Sequence, residues 1–180
     1  KPEGYSPKRA QEILASYQYE DIEPGRKVNI IGIMLEAYND FSKFEGLEID
    51  PSVYRDFHRL EQESVHGRIV TNIFAGGTVD TERAYLTGYR SLPKFNKETN
   101  SFAWYFKEQG YRTEAMHPVT GSFYNRRNIN EYLGFDNFYH GDNFYESESY
   151  LEDSHFLPTI IEGFDRAKEE GLPYFNYSLT

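Results

Sequence analysis

The run Val28-Asn29-Ile30-Ile31-Gly32-Ile33-Met34-Leu35 is almost continuously aliphatic and stops on the acid Glu36. A near-unbroken apolar run of this length predicts a parallel strand covered on both faces, because an antiparallel strand with one wet face alternates instead. Parallel strands need crossover connections, so the rest of the chain is expected to supply helices between strands. The later pattern agrees. Ser6 to Tyr19 reads as a helix, with Ser6-Pro7 as its start and Ala10, Ile13, Leu14 and Tyr17 on one apolar side. After the turn Glu23-Pro24-Gly25-Arg26 and the first strand, Asp50-Pro51 opens a helix carrying Val53, Phe57 and Leu60. Gly67 to Phe74 predicts a second strand, Thr78 to Thr87 a helix, and Ser101 to Gln109 another helix closed by Gly110. Tyr111 to Met116 predicts a strand ending at His117. Arg127 to Leu133 and Phe156 to Glu170 predict helices stopped by Gly134 and Gly171, and Pro173 to Leu179 a last strand.

The expected fold class is therefore α/β, a mainly parallel sheet flanked by helices. Residues 1–24 form a helical lead-in and 25–180 the sheet-bearing portion. The last strand stops at Thr180 with no helix after it, which predicts a sheet truncated at its C-terminal end.

Composition narrows the function. A formal net charge of -10 opposes nucleic-acid binding, which depends on basic patches to neutralise phosphates. The same acidity suits divalent cations, and equally suits a solvated acidic surface. No cysteine is present, so disulfides, thiolate catalysis and thiolate zinc sites are excluded. A mean hydropathy of -0.74 predicts a soluble chain. No run approaches the ~18 apolar residues of a membrane helix. Aromatic content is high at 17%, with 16 Tyr and 14 Phe. Core packing explains that, and so does a polar groove with stacking faces for a sugar or glycerol-type substrate.

The chemistry concentrates in Gly76-Gly77-Thr78-Val79-Asp80-Thr81-Glu82. A hydroxyl enters here on two flexible glycines, downstream of a strand that ends on Glu36. Ligands in open α/β sheets gather outside the C-terminal ends of the strands. Glu36 is either a metal-ligating acid at that edge or a helix cap or surface residue. A threonine hydroxyl is a weak nucleophile until a base or a metal activates it, and Thr78 at a helix N-terminus would also find N–H donors for an anion. The alternative for Thr78 is a helix cap with Thr81 or Glu82 reaching back. His117 sits at another strand end, and the stretch Pro118 to Tyr124 can loop Arg126 over the same edge. Arginine grips phosphate oxygens bidentately, and histidine donates to them or carries a proton. His58, His66, His140 and His155 read as structural or surface residues.

In this order the pieces resemble the catalytic domain of the lipoteichoic acid synthase family, within the alkaline phosphatase and sulfatase superfamily. The matching residues are Asn29 to Glu36, Gly77-Thr78-Val79-Asp80-Thr81-Glu82, His117 with Phe123-Tyr124-Asn125-Arg126, and Leu133-Gly134-Phe135-Asp136-Asn137-Phe138-Tyr139. The resemblance implies an alkaline phosphatase/sulfatase-like fold and a Thr78 nucleophile that forms a phosphoglycerol-enzyme intermediate. It implies Glu36 and Thr78 as ligands of a divalent ion of the manganese kind, with Mg2+ or Zn2+ as alternatives. His117, Tyr124 and Arg126 would contact the phosphoglycerol. The implied substrates are an anionic lipid head group such as that of phosphatidylglycerol and a glycolipid or polymer acceptor. The implied place is the extracellular face of a bacterial membrane, reached through an anchor outside these residues. Two departures stand out. Val119 occupies the place of a family acid, and Tyr124 that of a family tryptophan. The later histidine and Asp-His pair that complete the family's site are absent from residues 1–180, so little turnover is expected from these residues alone. A sulfatase or phosphoethanolamine transferase of the same superfamily is an alternative, although Thr78-Val79-Asp80 does not fit the Cys/Ser-x-Pro-x-Arg pattern of common sulfatases. A noncatalytic domain that binds an envelope polymer or partner protein is another.

Overall fold

The computed structural model describes residues 3–17, 20–71, 76–144 and 152–180. Helices α1 (Pro7–Ser16), α2 (Arg55–Glu63), α3 (Thr78–Thr87), α4 (Phe102–Glu108), α5 (Arg126–Tyr132), α6 (Gly141–Phe144) and α7 (Asp153–Glu169) surround strands β1 (Ile30–Met34), β2 (Arg112–His117), β3 (Asn137–His140) and β4 (Tyr174–Leu179). The strands form a sheet in the order β1-β4-β2-β3, and every pairing is parallel. The α/β reading holds.

Local chemistry explains most boundaries. Ser6 caps α1 by accepting from the Arg9 N–H at 3.1 Å, and Ser101 caps α4 by accepting from that of Trp104 at 3.1 Å. Gly88 and Gly171 stop α3 and α7 in the left-handed conformation, where a side chain would be strained. The predicted helix over Asp50-Pro51 begins later, at Arg55, because residues 51–54 are spent in turns. The predicted strand over Gly67 to Phe74 does not appear in its described part, Gly67 to Thr71, which has no regular structure. Its remainder, with Asn72 to Ala75, lies outside the described residues. Strand β3 was not legible as a strand: it is four residues long and paired on one side only, to β2.

The sheet has two unlike faces. On one, Ala115, Phe175, Tyr177 and Leu179 pack with Leu86 of α3, Ala103 of α4 and Ile129 and Leu133 of α5 into the main core. On the other, α7 lies across β2 and β4, with Phe156 and Ile160 against Met116. β1 is an edge strand beside β4, and its part of this face lies beyond the main packing of α7 on β4 and β2. Ile31 and Ile33, 45% exposed each, point to that uncovered side, so the expectation that β1 is covered on both faces is corrected.

The face beneath α7 also holds a polar ladder. Buried Glu114 accepts from Arg112 Nε at 2.7 Å and from the Tyr174 hydroxyl at 2.9 Å, and Arg166 lies 3.5 Å away. Asn176 donates to the Tyr174 hydroxyl, and Ser178 to Asn176. These bonds satisfy groups whose burial would otherwise be costly. α7 approaches closely enough to cover them because Gly163 has no side chain. A Cβ there would stand 2.3 Å from the Tyr174 hydroxyl and 2.5 Å from Glu114 Oε2.

Candidate active site

Parallel strands all finish on one edge, and the candidate residues collect there. Thr180, just past β4, donates its N–H to the Met34 carbonyl at 3.1 Å, while its hydroxyl accepts from the Glu36 N–H at 3.1 Å. Glu36 is thereby held in a turn at the tip of β1, next to Ala37 at φ 53°. Thr78 is the first residue of α3, and Gly77 is its N-cap. No side chain caps this helix, so the capping-box alternative for Thr78, Thr81 and Glu82 is not what the fold uses. The Asp80 N–H donates to the Gly77 carbonyl at 3.0 Å, which leaves those of Thr78 and Val79 as the first-turn donors an anion could use.

One turn along the same face of α3 lies Glu82, which residue-by-residue reasoning passed over. It is 4% exposed and accepts from Arg126 Nη2 at 2.9 Å. Arg126 opens α5 and is 2% exposed. Its Nε and Nη1 have no hydrogen-bond partner among the described residues. Both ring nitrogens of His117, also 2% exposed, lack one as well. Buried N–H groups left open cost about 1–3 kcal/mol each, so unpaired donors gathered at a strand edge mark a place prepared for a ligand.

Charge couples the set. Burial pushes the Glu82 carboxyl above its ordinary value against the pull of Arg126, and the negative charge of Glu36 adds to the push. Burial, with the positive charge of Arg126 behind it, lowers His117 from 6.5 to about 4, and the nearby Leu179 backbone works in the opposite sense. His117 is therefore neutral at physiological pH. The unfolded chain takes up this proton near 6.5 and the folded protein only near 4. Stability should thus be unaffected by His117 at neutral pH and decline as pH falls through that window, by up to roughly 3 kcal/mol, levelling off below it. Urea denaturation across the window, compared with His117→Gln, measures this. An identical pH slope in the two proteins would contradict it.

Tyr124 and Asn125 both adopt positive φ, 51° and 57°, an uncommon conformation for residues other than glycine. The turn they make places the Phe123 and Tyr124 rings 5.7 and 5.5 Å from the Arg126 guanidinium. Arg83 of α3 donates to the Tyr124 carbonyl at 2.8 Å and ties the turn down. The structure thus groups His117, Tyr124 and Glu82 around the Arg126 guanidinium, with Glu36 near enough for its charge to act on Glu82, and sets Thr78 one turn before Glu82 on α3. His140 lies in register with His117 on the neighbouring strand and is 6% exposed, so its surface alternative is corrected. The resemblance's metal finds two oxygen donors here, Glu36 and Thr78. Among the described residues no three His, Cys, Asp or Glu side chains converge to hold an ion. Two oxygens are fewer than hard divalent cations take, so these residues fit part of a metal site and do not complete one.

These residues sit on a parallel α/β sheet, and folds of this class gather their ligands outside the C-terminal ends of the strands. The chain belongs to the sulfatase family, whose pattern matches residues 28–170. It is 29% identical over 122 residues to a Rhizobium meliloti protein named for cyclic beta-1,2-glucan modification, a match covering 62% of this chain and 18% of that protein. It is 28% identical over 125 residues to the lipoteichoic acid synthase of Staphylococcus aureus, covering 63% of this chain and 19% of that one. The chain therefore spans under one fifth of the length of these relatives. Among solved structures, the lipoteichoic acid synthase LtaP from Listeria monocytogenes superposes with a TM-score of 0.72 at 17% identity, over 85% of this chain and 40% of that one. An alkaline phosphatase superfamily protein from Vibrio parahaemolyticus gives 0.67 at 20% identity, over 98% and 50%. At these identities the structures support the fold, which is that of the alkaline phosphatase/sulfatase superfamily.

Proposed function

We propose that this chain carries the nucleophile half of a phosphoglycerol transferase active site. The observation that carries the reading is the buried pair Arg126, whose Nε and Nη1 have no hydrogen-bond partner among the described residues, and His117, both of whose ring nitrogens are open; Thr78 stands one turn before Glu82, the acid that holds Arg126. On this reading Thr78 Oγ1 attacks the phosphorus of a lipid head group such as that of phosphatidylglycerol. The O–P bond forms as the bond to the departing lipid oxygen breaks, and an acceptor hydroxyl later takes the phosphoglycerol. Arg126 Nε and Nη1 and the Thr78 and Val79 N–H groups of α3 bind the phosphate oxygens, as the increasing charge on them requires. Tyr124 walls the glycerol side. Glu36 and Thr78 are the residues that would hold a divalent cation, Mn2+ in the resemblance, which supplies charge neutralisation at the nucleophile when bound. The working location on this reading is the outer face of a bacterial membrane. Among the described residues no helix is long and apolar enough to cross one.

The resemblance implies a glycolipid or polymer acceptor, the S. aureus relative is named for lipoteichoic acid, and the R. meliloti relative is named for modification of a glucan. Val119 in place of the family's acid favours testing both. The experiment is intact-mass and peptide mapping of the full-length protein incubated with phosphatidylglycerol and Mn2+, with and without each acceptor. A phosphoglycerol adduct on Thr78, discharged by one acceptor, is expected. An adduct on another residue would overturn the nucleophile. An adduct only from phosphatidylethanolamine would change the head group.

A further inference from the structure

The loop that delivers Arg126 to the site is clamped from a neighbouring strand, and the clamp is built around His140. Its ring, nearly buried at the end of β3, lies between two charges: Nδ1 is 3.1 Å from Asp142 Oδ2, off the line of a hydrogen bond, and Nε2 is 3.3 Å from Arg127 Nη2. An arginine can only donate, so His140 Nε2 faces it as an acceptor and the ring proton sits on Nδ1, toward Asp142. Gly121 lies flush on the ring, and a Cβ there would stand 2.7 Å from Nε2 and Cδ2. The Gly121 N–H donates to the same Asp142 oxygen at 3.3 Å, and its carbonyl accepts from the Arg127 N–H at 3.0 Å. Gly141 donates to the Val119 carbonyl at 2.9 Å, while Asn143 accepts from the His140 N–H at 2.9 Å.

The segment from Val119 to Gly121 is thus pinned at the Val119 and Gly121 carbonyls and at the Gly121 N–H. Ser122 and Phe123 lead from it to Tyr124 and Asn125, in their positive-φ turn, and then to Arg126. Conformations of that kind are strained and persist where the surroundings over-determine them. Arg83 and the burial of Arg126 hold the far side of the turn, and the His140 clamp holds the near side.

We propose that His140 is a positioning residue: its ring sets the height of the Val119–Gly121 segment over β3 and thereby the placement of Tyr124 and Arg126. The positioning of the loop stands on geometry alone, and its effect on phosphate binding rests on the function proposed above.

The test uses the full-length protein and three variants. His140→Ala removes the ring, His140→Gln keeps an acceptor for Arg127 and a donor for Asp142, and Gly121→Ala drives a methyl group into the ring. Amide hydrogen exchange reads the loop without any ligand. In His140→Ala and Gly121→Ala the Asn125 and Arg127 amides should exchange about tenfold faster, with β2 and β4 unchanged, and His140→Gln should recover most of the protection. Affinity for glycerol 1-phosphate, measured by calorimetry, should fall in the same order. Unchanged exchange at these amides would overturn the proposal, as would acceleration spread evenly over the sheet or a His140→Gln variant no better than His140→Ala. If exchange follows the expected order but the unmodified protein does not bind glycerol 1-phosphate, loop positioning stands and the phosphate reading of Arg126 fails.

Discussion

Thr78→Ala is expected to lower head-group release from phosphatidylglycerol by roughly a thousandfold or more, since the variant has no atom that can form the covalent intermediate. The same change should hardly affect folding. Thr78 is the first helical residue of α3, its hydroxyl caps no backbone N–H, and alanine is the better helix former by a few tenths of a kcal/mol. An equilibrium denaturation midpoint within error of the parent, together with lost turnover, separates chemistry from structure. Thr78→Ser retains a hydroxyl one bond from the backbone Cβ and should keep measurable release. Equal turnover in parent and Thr78→Ala would remove Thr78 as the nucleophile.

Glu82→Ala should have the opposite profile, a large loss of stability before any question of rate. The Glu82–Arg126 pair is 2.9 Å long with both side chains 5% exposed or less. Deleting the acid leaves a buried guanidinium with none of its three nitrogens paired among the described residues. Breaking such a pair from one side costs about 3–5 kcal/mol. Replacing both members, as in Glu82→Leu with Arg126→Met, should recover much of that loss, because two charges no longer need desolvating. The double variant should fold and fail to bind glycerol 1-phosphate. Chemical denaturation of the singles and the double gives the coupling directly. A Glu82→Ala cost no larger than that of an exposed residue would show that the pair does not anchor Arg126.

Much of the site could be read along the chain because strand ends are written in local chemistry. Glu36 follows an apolar run, His117 ends the short strand pattern Tyr111 to Met116, and Thr78 follows two glycines, so a parallel sheet had to bring the first two to one edge. Glu82 was visible only as a letter of the motif around Thr78. Its value depends on Arg126, which lies 44 residues away and meets it only after β2 and the intervening loop fold back. His140 was illegible for the same reason. Its partners are reached through strand pairing, and a four-residue strand bounded by polar residues leaves little periodicity to detect.

The α/β alternation, the parallel sheet and the positions of Thr78, Glu36 and His117 at element ends were determined by sequence, because hydrophobic period, caps and glycine stops act over a few residues. Which face of β1 is covered, which acid holds Arg126 and which histidine supports its loop were decided by tertiary structure. Those outcomes depend on strand order and on where α7 ends its coverage. They arise from burial, which turns a carboxylate and a guanidinium far apart in the chain into an obligatory pair.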